Sequence, residues 1–136
     1  VSKTRRQVKA VVDFNQSLAL QQGAIHALRH CASWPATLHP VYRERRDRVL
    51  SVLRSHGWSI PTPEMALYLW LPLPPQLQLQ GMNGESLARQ LLERSGVALT
   101  PGSGFGPAGR DWLRMALVRP VGELEQAAHR LLDALS

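Results

Sequence analysis

The sequence predicts an α/β domain, a small mixed sheet covered by helices and preceded by connecting helices. Three observations predict it. Apolar residues recur at helical spacing near both ends of the chain, most regularly at Val121, Leu124, Ala128, Leu131, Leu132 and Leu135. Between them stand short apolar runs of strand length, at 66–71 and 112–118, flanked by proline and glycine. The order is helices, then strand, strand, helix, strand, strand, helix, which suits a sheet with helices layered on it.

Each element follows from local signals. Val8, Val11 and Val12 give the first helical segment its apolar stripe. Asn15 to Ser17 offers a break and an N-cap, and Leu18, Ala24, Ile25 and Leu28 carry a second helix. Helical geometry is disfavoured before proline, so a stop is predicted around Ser33, Trp34 and Pro35. A third helix is predicted from near His39 and Pro40, with Tyr42, Val49, Leu50 and Leu53 inward and Gly57 as its C-terminal cap.

The period then changes. Residues 58–60 read as a short strand, and 66–71, apolar on both faces, as a central one. Two adjacent prolines and no periodicity make 73–82 a loop. Asn83 caps a helix over Gly84–Ser95, with Leu87, Leu91 and Leu92 inward and Gly96 at its end. Residues 97–100 form a strand feeding the glycine-rich loop 101–109, 112–118 form another, and the last helix closes the chain. The domains expected are connecting helices at 1–32 and a small α/β domain at 33–136.

The chain has 136 residues, 44% hydrophobic and 19% charged, enough for one domain with its own core. No apolar run approaches the roughly 20 residues of a membrane-spanning helix, and no signal-peptide pattern opens the chain, so no membrane partner is expected. Cys31 is the only cysteine, which excludes an intrachain disulfide and makes a cytoplasmic location the expectation. The formal charge is +6, with basic stretches at 3–9 and 43–48. Glu44 and Asp47 interleave with the second, so it reads as a solvated helix face, and no nucleic-acid partner is expected.

Several motifs carry little chemistry. Gly104, Gly106 and Gly109 match a dinucleotide-binding pattern, yet a strand follows where that pattern needs a helix N-terminus. The glycines fit tight turns instead. His26 and His30 lie four apart beside Cys31, but a zinc site needs three or four ligands, so no metal is expected. Arg114 stands out because Leu113, Met115, Ala116 and Leu117 surround it with apolar neighbours. A guanidinium so placed needs a partner, and its planar fork suits a carboxylate. Two simpler readings stay open: a salt bridge to Asp111, Glu123 or another acid, or an edge position facing water.

Five stretches, taken together and in this order, resemble the C-terminal third of bacterial class I/II aminotransferases. They are 6–15 (RQVKAVVDFN), 42–47 (YRERRD), Gly57-Trp58, 68–74 (YLWLPLP), and 101–106 (PGSGFG) followed by 113–117 (LRMAL). The aspartate and diaminopimelate-type branch is the most similar. The resemblance implies the C-terminal small domain of the fold-type I architecture. It also implies a reaction in which pyridoxal phosphate, held as a Schiff base on a lysine, exchanges amino groups between amino acids and 2-oxo acids. Arg114 falls where that family binds the substrate α-carboxylate, and Phe105 falls near the substrate entrance.

Departures from the family bound this expectation. The large domain, which holds the phosphate loop, the stacking aromatic residue and the Asp at the pyridine nitrogen, has no counterpart in 136 residues. Ser2, Lys3 and Thr4 resemble the segment of the Schiff-base lysine, but the glycine-and-arginine stretch that should follow is missing. Lys3 is therefore either that catalytic lysine beside a deletion or a terminal lysine with no such role. Glu64, Met65 and Ala66 stand where relatives often carry a glycine before the aromatic strand. No residue is assigned to the cofactor itself, and the chain alone is expected to be inactive. A homodimer is expected of the full-length enzyme. The alternative is a non-catalytic interaction module derived from the same fold.

Overall fold

The computed structural model describes residues 3–12, 16–64 and 67–136, apart from the side chains of Lys3, Arg5 and Arg6. Ser2, Asn15, Met65 and Ala66, which the sequence reading singles out, lie outside the described residues. The chain divides into two compact units, Val1–Leu38 and His39–Ser136.

The first unit holds α1 (Lys3–Val12), α2 (Leu18–His30) and the opening of α3 (Trp34–Ser55). Its apolar stripes form as the spacing predicts, but they stay uncovered. Val8, Val11, Val12, Leu18, Leu20 and Leu28 are all exposed, and α2 buries no residue. Ser17 occupies the N-cap position of α2 without a side-chain cap bond. α3 starts at Trp34, ahead of the expected start near His39. Pro35 sits in its first turn, where a missing N–H has no helical partner to lose. Pro40 lies inside the helix and gives up one backbone hydrogen bond there.

The second unit is built on a three-stranded sheet of β1 (Tyr68–Pro72), β2 (Thr100–Pro101) and β3 (Trp112–Ala116), in the order β1-β3-β2. Both pairings are antiparallel, so the sheet is simpler than the mixed one expected. β3 is the central strand, and β1, which reads as central in the sequence, is an edge. Helices α4 (Pro75–Leu79), α5 (Gly84–Ser95) and α6 (Val121–Asp133) complete the unit. α4 lies in the stretch expected to be loop, with Pro75 at its first position.

The core is aliphatic. Leu69, Leu71, Leu113 and Met115 from one face of the sheet join Val49, Leu50 and Leu53 of α3, Leu87 and Leu91 of α5, and Leu124, Ala128 and Leu131 of α6. Each fully buried leucine contributes about 1.5–3 kcal/mol of burial. Leu92, read as inward, is exposed instead.

α5 is fixed at both ends. Asn83 Oδ1 accepts from the backbone N–H groups of Glu85 and Ser86, each at 3.0 Å, and Ser86 Oγ accepts from Asn83 N–H at 3.0 Å. Gly96 closes the helix at φ 67°, in the left-handed region where glycine carries no Cβ penalty.

Residues 58–60 alternate buried and exposed but join no ladder. The Trp58 N–H donates to Leu53 O at 3.2 Å, and the Arg54 guanidinium donates to Ile60 O and to Thr62 Oγ1. Helix end and arginine supply what a neighbouring strand would have supplied. The basic run 43–48 behaves similarly. Arg45 reaches Leu117 O at 3.0 Å, and Arg46 reaches Pro63 O at 2.9 Å. These arginines tie α3 to loop carbonyls, where the sequence suggests a simple solvated face. Arg46 also donates to Asp47 at 2.7 Å, which holds that carboxyl below the ordinary carboxylate range, helped by Arg43 and Arg54. No helix among the described residues is long and apolar enough to cross a membrane.

Candidate functional site

The two faces of the sheet differ in kind, because strand side chains alternate. In β3, Leu113 and Met115 enter the core, so Trp112, Arg114 and Ala116 take the opposite face. In β1, Leu69 and Leu71 enter the core and leave Tyr68 and Trp70 on that same open face. The register sets Arg114 between Trp70 on one neighbouring strand and Thr100 on the other.

A tight loop adds the remaining wall. After β2 the chain makes two 3-10 turns, over Gly102–Phe105 and Pro107–Gly109. Gly102 and Gly109 approach so closely that a Cβ on either would run into the backbone of the other. Gly106 between the turns has φ 123°, which side-chain-bearing residues rarely adopt. This doubling-back brings Phe105 over the sheet.

Arg114 ends among rings. Its Cζ lies 4.2 Å from the Tyr68 ring centroid and 4.6 Å from that of Phe105. Trp70 meets Phe105 edge-on at 5.7 Å and stacks with Trp112 at 5.9 Å. Among the described residues, no carboxylate lies within ion-pair distance of Arg114 and its guanidinium makes no hydrogen bond. The salt-bridge reading is thereby removed. Glu123 pairs with Arg119 at 2.8 Å instead. The edge reading is removed as well, since β3 is central. The side chain is half-buried and attracted to ring faces, and among the described residues its N–H donors are unused.

Chemically, such a face can bind a carboxylate through a bidentate pair of charge-assisted hydrogen bonds. Arg114 is the only charged residue in the three strands. A phosphorylated pyridine needs an anion cup and an acid opposite the ring nitrogen as well. The strands therefore offer charge for one carboxylate and do not fit a whole pyridoxal phosphate.

The other residues singled out in the sequence add no ligand to this face. Lys3 is the first residue of α1, in the first unit, and its side chain is outside the described residues. His26 and His30 pair their rings at 4.6 Å on an exposed helix, and Cys31 is exposed. No group of three or more metal-ligating side chains occurs among the described residues. Gly104, Gly106 and Gly109 serve the turns that carry Phe105. Sequence reasoning missed Tyr68, Trp70 and Trp112 as parts of the site. The signal available was the period-two spacing that sets them on the face of Arg114.

Comparison with known proteins gives the family of the chain. The family model for aminotransferase class I and II matches residues 3–131. The LL-diaminopimelate aminotransferase of Dehalococcoides mccartyi is 34% identical over 128 residues, covering 94% of this chain and 32% of that protein. Among solved structures, a probable N-succinyldiaminopimelate aminotransferase from Thermus thermophilus superposes with TM-score 0.81 at 38% identity, covering 94% of this chain and 33% of that one. An aromatic aminotransferase from Pyrococcus horikoshii gives TM-score 0.82 at 25% identity, covering 95% and 34%. The chain spans about a third of the length of the relatives it matches. With its small α/β unit, it belongs to the class I and II aminotransferases.

Proposed function

We propose that this chain supplies the substrate α-carboxylate site of a pyridoxal-phosphate-dependent aminotransferase, with Arg114 as the ligand. The observation that carries the reading is an arginine on a central strand with no acid of its own, set among rings on the open face of the sheet. Substrates would be an amino acid and a 2-oxo acid. Pyridoxal phosphate, when bound, supplies the electron sink for the reacting Cα. The part played by this chain is different: a two-point clamp on the carboxylate fixes the orientation of the Cα–H bond.

The cofactor's own contacts would belong to sequence that the relatives carry outside the matched third. Lys3 is the candidate for the lysine that holds the cofactor, since it stands in the matching Ser-Lys-Thr segment. A homodimer and a cytoplasmic setting go with this reading.

Reduction with borohydride in the presence of pyridoxal phosphate, followed by mass-spectrometric mapping, tests the assignment of Lys3. A single adduct on Lys3, absent in Lys3→Ala, would support the assignment. Scattered labelling of Lys3 and Lys9 would remove Lys3 from the site and leave the chain with the carboxylate clamp alone.

A further inference from the structure

We infer that Tyr68 and Phe105 are positioning residues that hold the Arg114 guanidinium in its ligand-ready place, an inference that rests on the carboxylate-site reading. Three observations carry it. The guanidinium lies over both rings, at 4.2 and 4.6 Å from their centroids. Among the described residues it has no ion pair or hydrogen bond, so none of them aims it by another directional contact. The rings themselves are braced: Tyr68 stands on β1, paired with β3, and Phe105 is met edge-on by Trp70 at 5.7 Å.

An arginine side chain has four rotatable bonds and, if left unheld, spreads over many rotamers. A neighbouring acid could hold it in place through a bidentate pair. An acid here would occupy the donors that the substrate needs and would compete with it. A ring face attracts the cation through its quadrupole while offering no lone pair to the N–H groups. Two rings therefore select a rotamer without consuming the fork. Apparent affinity for a carboxylate scales with the fraction of time the fork is correctly placed, so losing one ring weakens binding by that fraction.

The two rings are not equivalent. Tyr68 lies in a strand, while Phe105 rides on a loop that owes its shape to Gly102, Gly106 and Gly109. Phe105 is 55% exposed, so its removal should barely affect folding. The close geometry of the turns would then serve to deliver one ring to one cation.

The test is an arginine Nε–Hε NMR experiment on the 136-residue chain, with acetate as the carboxylate probe. In the wild type the Arg114 resonance is expected upfield, shifted by the ring currents, and it moves further as acetate binds. Phe105→Leu should return it toward the ordinary arginine position and raise the acetate dissociation constant about threefold, with unchanged melting temperature. Phe105→Tyr should restore both the shift and the affinity. An acetate constant and an Arg114 shift left at wild-type values in Phe105→Leu would overturn the clamp. A wild-type Arg114 resonance that ignores acetate would instead sink the carboxylate site itself, and with it the purpose of the rings.

Discussion

α2 and α6 have the same length, 13 residues, and both carry leucines at helical spacing, yet their fates differ. α6 buries Leu124, Ala128 and Leu131 against the sheet unit. α2 buries nothing, and Leu18, Leu20 and Leu28 stand in solvent. The lesson is that a periodic apolar stripe predicts a helix but not its cover. The first unit holds helices that local sequence favours, whereas the second is fixed by packing, caps and close backbone contacts.

That contrast predicts a hierarchy of effects. The largest should come from Leu113→Ala in β3, which removes a fully buried side chain. It should lower unfolding free energy by about 3 kcal/mol in urea titration. Leu28→Ala in α2 should change it by less than about 0.5 kcal/mol. Equal losses at the two sites would erase the distinction between the units.

Glycine substitution sharpens the same point with opposite signs. Gly109→Ala drives a Cβ into the Gly102 backbone, and should cost about 1–3 kcal/mol. Gly23→Ala in α2 meets nothing within 4 Å and should raise helicity, gaining up to about 1 kcal/mol locally. Circular dichroism and thermal unfolding read both.

Caps should give a smaller difference. Asn83→Ala removes two backbone partners at the start of α5 and should cost about 1 kcal/mol. Ser17→Ala at α2 removes no cap bond and should leave stability unchanged. The smallest effect concerns pH. The folded pKa of Asp47 is lowered, chiefly by its hydrogen bond from Arg46. Its contribution is thus present above the ordinary aspartate range and lost as pH falls through the folded value. Because the Asp47 carboxylate is exposed, Asp47→Asn should flatten the acid limb of stability by well under about 1 kcal/mol.

The legibility of the sequence follows the same division. α5 was legible to the residue because Asn83 and Gly96 carry their own end chemistry. Residues 58–60 misled because alternating burial resembles a strand, whereas Leu53 O and the Arg54 side chain satisfy that backbone. β1 reads as central because both of its faces are apolar. One face is core, and the other is the open face that carries Tyr68 and Trp70, so the error marked an apolar face left uncovered. α4 was illegible because five residues cannot display a helical period. Arg114 was legible as an anomaly among apolar neighbours. Tyr68 was missed although period-two spacing sets it on the same face, and Phe105 was placed near the site by the resemblance alone, because it arrives through the closure of a loop that no local spacing encodes.

Titration with pyruvate followed by NMR tests whether Arg114 is an open carboxylate site. Wild-type chain should show saturable shifts centred on Tyr68, Phe105 and Arg114, and Arg114→Gln should lose at least about tenfold in affinity without unfolding. Pyruvate shifts of the same size and affinity in Arg114→Gln, or none near Arg114 in the wild type, would mean that Arg114 is not a carboxylate ligand.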